Sequence, residues 1–290
     1  MTTLGVVFLP QFAPERLRDV ARAADAAGLE ELWLWEDCFK EGAVSSMAAA
    51  LAWTERLRVG VGLMPVPMRN VAAAAMETAA LERLFPGRAM IGVGHGVLEW
   101  MGWIGARVAS PLTLLGEYLD ALRALLAGER VTVDGRYVHL QDVALDWPPQ
   151  QRVPVLAGAE GPKTLELVGA KADGVILTGG TTPEMARAAL ERIRVGREAA
   201  GRTDPFRVVA FVLAATGPGA QDRFDAERRA WKFPDEADVG AAGDAETIAG
   251  AARRWAEAGV DTVVLQPTAT EPDPEGFVRF AGQEVAPLLA

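Results

Sequence analysis

Residues 31–39, ELWLWEDCF, carry an apolar run into two carboxylic acids and the chain's single cysteine. An apolar setting raises a carboxyl pKa, so Glu36 or Asp37 at the end of such a run suits proton transfer near neutral pH. Cys38 adds a thiol and could pair with His95 as thiolate and imidazole; yet nothing beside it forms a nucleophile motif, and a lone cysteine commonly serves as a small apolar residue. His139 is the other histidine, in an alternating stretch that puts it at the surface. Two histidines and a carboxylate share no helix face or strand end, so no metal site is expected. Residues 177–184, LTGGTTPE, join a Gly-rich turn to a helix start at Thr182 and Pro183. Free N–H groups there would hold an anion, and an ordinary βα turn with an N-cap fits the same residues. Residues 91–96, IGVGHG, lack the later acid that a dinucleotide fingerprint requires, so their glycines suit close approach of a flat ring or chain instead. Trp100, Met101 and Trp103 read either as a substrate wall or as packing.

These groups work together only if a scaffold gathers their strand ends. Eight apolar runs, residues 4–9, 31–35, 58–64, 89–94, 153–158, 174–177, 206–213 and 262–266, alternate with amphipathic helix patterns. The first helix shows the pattern well: Leu17, Val20, Ala21 and Ala24 form one stripe behind APE, and Gly28 ends it. Parallel strands buried on both faces imply closure, so the expected fold is α/β, a (β/α)8 TIM barrel with its site at the strand C-termini. The chain reads as one domain, 1–290, with an insertion at about residues 95–152 after strand four. That insertion holds a helix near residues 113–127 and a hairpin turning at Asp134-Gly135, and a loop of this length suits a lid or pocket wall. Residues 220–243 read as a shorter irregular stretch.

The chain has 290 residues, half of them hydrophobic, and a formal charge of −10 without acidic or basic runs. That balance disfavours nucleic acid and anionic membranes and leaves a small-molecule substrate as the expected partner. Neither a membrane span nor a signal segment is evident, and one cysteine suits a reducing compartment, so a cytoplasmic location is expected.

With those residues in place, the chain resembles the bacterial luciferase-like superfamily, in particular its coenzyme F420-dependent oxidoreductases. The resemblance covers nearly the whole chain through QFAPERLRDVARAADAAGLEELWLWEDCF, VGLMPVPMRNVAAAAMETAALERLFPGRAMIGVGHG, PVLAGAEGPKTLELVGAKADGVILTGGTTPE and AGDAETIAGAARRWAEAGVDTVVLQP. It implies a deazaflavin, or alternatively FMN, lying across the strand C-termini. The ring would pack near Asp37, Cys38, Gly62, Leu63 and Met64, with Gly92, Val93 and Gly94 at the end of strand four. Ala157, Gly158, Ala159, Thr178, Gly179 and Gly180 would bind the ribityl and phosphate end, joined by Gly161, Pro162 and Lys163. A non-prolyl cis peptide is implied near residues 61–63, and dimers are common among relatives, so a homodimer is expected.

Two positions depart from that pattern. Cys38 stands where many F420 enzymes carry histidine, and Val97 stands where dehydrogenases of the group place glutamate, with Glu99 two residues on. The expected catalytic groups are therefore Asp37, Cys38 and Glu99. The leading activity is hydride transfer between F420 and a small organic substrate. The alternatives are an FMN-dependent monooxygenase using O2 and a non-catalytic flavin-binding barrel. GAEGPKTLEL more closely resembles the methylene-tetrahydromethanopterin reductase-like branch.

Overall fold

The computed structural model describes residues 2–289. Its strands are β1 (Thr3–Phe8), β2 (Glu31–Leu34), β3 (Arg58–Pro65), β4 (Ala89–Gly94), β5 (Val131–Asp134), β6 (His139–Val143), β7 (Val155–Gly158), β8 (Gly174–Leu177), β9 (Arg207–Ala215), β10 (Gly240–Ala242) and β11 (Thr262–Gln266). Parallel pairing runs β1-β2-β3-β4-β7-β8-β9-β11 and returns to β1, closing an eight-stranded barrel from the eight expected apolar runs. Around it lie α1 (Leu17–Ala26), α2 (Ala43–Trp53), α3 (Val71–Leu84), α4 (Leu98–Trp103), α5 (Pro111–Leu126), α6 (Pro162–Lys171), α7 (Pro183–Ala199), α8 (Ala220–Ala230), α9 (Ala245–Glu257) and α10 (Pro274–Phe280). Side-chain caps set several starts: Asn70 accepts from Ala72 N–H, Thr182 from Met185 N–H and Asp244 from Thr247 N–H.

Between β4 and β7 lie α4, α5 and the antiparallel β5–β6 hairpin, with Asp134 opposite His139. His139 is exposed there, its Nδ1 2.7 Å from Asp134. The Glu117 carboxylate of α5 accepts from the backbone N–H groups of Arg136, Tyr137 and Val138 at 2.8–3.0 Å, which holds it below the usual carboxylate range and pins the hairpin to the helix. Residues 220–243, expected to be irregular, contain α8 and β10. The charged run QDRFDAERR hides a helix that buries Ala220, Phe224 and Glu227 at helical spacing.

Alternation along β2 turns Glu31, Trp33 and Trp35 into the barrel. Trp33 and Trp35 each meet Phe211 of β9 edge-on, at 6.1 and 5.2 Å between ring centroids. An eight-stranded barrel has little room for indoles, and β3 makes it with glycine. A Cβ on Gly60 would stand 2.7 Å from the Trp33 ring. Below the rings, Glu31 is fully buried (0 % exposed) and pairs with Arg58 at 2.8 Å and with Arg207. The Trp33 Nε1–H donates to the same carboxylate at 3.0 Å. Glu31→Ala strands these cations at the barrel floor and should cost about 3 kcal/mol. Urea unfolding reads this as a lower midpoint, and a loss below about 1 kcal/mol would contradict the assignment.

Candidate functional site at the strand C-termini

The acids after β2 divide as strand alternation dictates. Glu36 faces the helix layer, where Arg69 holds it with two N–H donors at 2.9 and 3.1 Å and Ala43 N–H adds a third at 3.3 Å. Arg69 also meets Glu77 at 3.0 Å. Glu36 is therefore a tether for its loop. Asp37 is half-buried, and its carboxyl makes no hydrogen bond among the described residues. Burial pushes its pKa up, and Lys40 partly offsets this. The Cys38 thiol lies 3.4 Å from the Met68 sulfur in the short turn after β3. Burial and the charges of Glu36 and Asp37 push that thiol up, so it stays protonated at neutral pH. No hydrogen bond joins it to His95. Burial lowers the His95 pKa, which keeps the imidazole neutral. Glu99 is exposed in the first turn of α4.

The floor between these groups is built by Leu63. The Gly62–Leu63 peptide is cis, in the interval where the resemblance places one, and Cys38–Phe39 is a second cis bond. A Cβ on Gly94 would meet Leu63 Cδ2 at 2.5 Å, and one on Gly158 would meet the same atom at 2.3 Å. Gly92 is closed off by Ile176 at 2.4 Å and the Val61 carbonyl at 2.5 Å. At Gly92 and Gly94, read as points of close approach for a ring or chain, and at Gly158 the space is taken by the protein's own atoms, because packing across a closed barrel brings neighbouring strands' side chains over these positions. Val93 and Ala157 are fully buried and Met64 nearly so, all three in the apolar core.

At the rim, β7 and β8 lead directly into α6 and α7. Ala159 is buried, while Gly161, Pro162 and Lys163 are exposed at the start of α6. The Thr178 hydroxyl donates to Glu160 at 2.6 Å, which puts a carboxylate beside the turn read as an anion site. Gly179 packs under Gln266, whose Oε1 would lie 2.6 Å from an added Cβ. Gly180 has φ +89°, and the Phe233 ring lies over it, at 2.4 Å from the same construction.

A second set of residues gives this end of the barrel its polarity. Trp35 Nε1, His95 Nε2, Gln266 Oε1 and Thr268 Oγ1 are buried atoms without hydrogen-bond partners among the described residues. They follow or end β2, β4 and β11. Each such atom costs roughly 1–3 kcal/mol while unpaired. Together they offer donors and acceptors above an apolar floor, the complement of a flat ring with polar edges. Trp35 and Thr268 carry no sequence signal for this role. At the opposite end a cavity of about 640 Å³ is lined by Arg123, Arg152 and Asp173 before β7 and β8, and none of the residues above lines it. There Asp173 is saturated by Arg123, Arg152, Arg202 and Val155 N–H.

No candidate membrane-spanning helix and no cluster of three metal-ligating side chains occurs among the described residues.

Two outcomes test this geometry. Gly94→Ala crowds Leu63 and should cost about 1–3 kcal/mol, and adding Leu63→Ala should restore part of that loss. A double variant whose loss equals the sum of the single losses would contradict the contact. Asp37 has a raised folded pKa, so its contribution to stability is full below the ordinary value of 3.8 and is lost as pH rises through the raised pKa. Asp37→Asn should therefore melt higher than the parent at about pH 7, and the advantage should vanish below about pH 3.5. An equal melting temperature at both pH values would remove the claim.

A family model described as luciferase-like monooxygenase matches residues 2–266. A 5,10-methylenetetrahydromethanopterin reductase of Methanolobus tindarius is 30% identical over 206 residues, covering 71% of this chain and 62% of that protein. An F420-dependent glucose-6-phosphate dehydrogenase of Kineococcus radiotolerans is 33% identical over 210 residues, covering 67% and 61%. The chain thus aligns with about three fifths of the length of these curated relatives. The solved coenzyme F420 dependent tetrahydromethanopterin reductase from Methanopyrus kandleri superposes with a TM-score of 0.86 at 21% identity, over 100% of this chain and 99% of that one. Barrel, strand-end site and a match spanning 265 residues agree that the chain belongs to the luciferase-like monooxygenase family.

Proposed function

We propose that this chain is an oxidoreductase that uses coenzyme F420 to move a hydride to or from a small organic substrate. The observation that carries the reading is the ring of unpaired buried polar atoms, Trp35 Nε1, His95 Nε2, Gln266 Oε1 and Thr268 Oγ1, at the end of the barrel where Leu63 lays an apolar floor. Shared family and the 33% identity to a relative named F420-dependent support the choice of deazaflavin.

When bound, the deazaflavin supplies a carbon that carries hydride. The chain's own residues do the rest. Leu63 would back the ring, and the four polar groups would meet its edges. The first turn of α6, with Gly161, Pro162 and Lys163, and the Thr178–Gly180 turn would hold its anionic end. Asp37, with its raised pKa, holds the proton that accompanies hydride transfer. Cys38 is the protonated thiol beside it, and its small size opens space where an imidazole would stand. Glu99 stays at the rim.

The family description leaves a second reading: a monooxygenase that uses reduced FMN and O2. Titrating the protein with F420 and FMN side by side, with fluorescence as readout, separates the two. F420 should bind at least about tenfold more tightly, a difference of about 1.4 kcal/mol. Preference for reduced FMN together with oxygen consumption overturns the proposal. With a working substrate, Asp37→Asn should keep the F420 Kd within about threefold and cut turnover roughly 100-fold, removing a pH limb from the rate profile.

A further inference from the structure

Beside Asp37 and Cys38, two large aromatic side chains from different elements stand in solvent against each other. Phe39 is 62 % exposed in the loop after β2, and Trp103 is 63 % exposed at the end of α4. Their ring centroids are 6.4 Å apart with planes 29° from parallel. Such exposure costs free energy unless something covers it. Met68, 40 % exposed, is in contact with the sulfur of Cys38, the residue before Phe39.

The charges nearby narrow what can cover it. Arg69 is engaged by Glu36 and Glu77. The charge of Lys40 acts on the carboxylate of Asp37 without forming an ion pair with it. Glu41 adds an acid in the same loop, and Glu99 lies one helical turn before Trp103, on the same face of α4. Arg107, beside Gly102 at the end of α4, is exposed and has no acid partner among the described residues, so a phosphate dianion approaching this face meets that arginine and Lys40, and no larger cluster of cations, set against Glu41 and Glu99.

Resting on the F420 reading above, we propose that the substrate taken beside Asp37 is an uncharged molecule with an aromatic or conjugated ring, gripped by Phe39 and Trp103, and that phosphorylated sugars are excluded. Phe39 and Trp103 are specificity-determining residues. They touch the part of the substrate remote from the reacting carbon, and the rim acids repel anions.

Saturation-transfer NMR with 2-acetylnaphthalene as the probe, on the full chain with F420 bound, tests this directly. The expected result is binding that Phe39→Ala and Trp103→Ala each weaken roughly three- to tenfold, the scale of an aromatic stacking contact. Both positions are exposed, and melting temperatures confirm that the variants fold. The F420 Kd, read separately by fluorescence, should stay within about twofold. Glucose 6-phosphate at tenfold excess over the probe should not displace it. Displacement by glucose 6-phosphate, no binding of the ketone, or unchanged affinity in both alanine variants overturns the proposal. Absence of F420 binding to the parent protein fails the cofactor reading instead, and the fluorescence arm registers that alone.

Discussion

Volume inside the barrel is the constraint on which the rest of the molecule depends. Strand β2 commits two indoles to a space that in most eight-stranded barrels is filled by branched aliphatic side chains. Trp33 and Trp35 reach across to Phe211, and the neighbouring strands yield by carrying glycine where the rings pass. The carboxylate of Glu31 anchors the lower ring from beneath and is itself neutralised by Arg58 and Arg207. The upper ring, Trp35, is thereby held at the strand ends with its N–H unpaired. A structural choice in the core becomes a chemical group at the mouth.

The same constraint accounts for the shape of the floor. Leu63 lies flat because Gly94 and Gly158 leave room for its methyl groups on adjacent strands. One leucine thus covers two strand ends, and the surface it presents is apolar and broad. Around that surface, elements separated by more than 200 residues contribute polar atoms, from Trp35 to Gln266 and Thr268. Asp37, in the loop after β2 at the same end of the barrel, has a carboxyl that burial has shifted toward the protonated form.

Much of this was legible in the sequence. Buried parallel strands are apolar on both faces, so the runs at 89–94, 174–177 and 262–266 match β4, β8 and β11 end to end. Period-two alternation separates Glu36 from Asp37, and the structure places Glu36 on Arg69. The meaning of the glycines was not legible. Gly92, Gly94 and Gly158 answer to Ile176 and Leu63, contacts between strands that no local pattern encodes. The unpaired polar set is hidden for the same reason, since its members are ordinary residues until closure brings them to one end. Helix α8 was masked differently: its exposed face is so charged that the buried spacing of Ala220, Phe224 and Glu227 is lost to the eye. The pairing of Cys38 with Met68 joins residues 30 apart and leaves no motif.

The aromatic series does not stop at Phe211. Trp35 continues to Trp231, 6.2 Å away, and Trp231 to Phe233, 5.8 Å away, where that ring covers Gly180. Indoles in such a row exchange excitation energy, and a conjugated molecule resting on Leu63 would lie within reach of them. The protein therefore carries its own optical reporter. A conjugated molecule bound at the barrel mouth would change the indoles' ultraviolet emission, without any label being added.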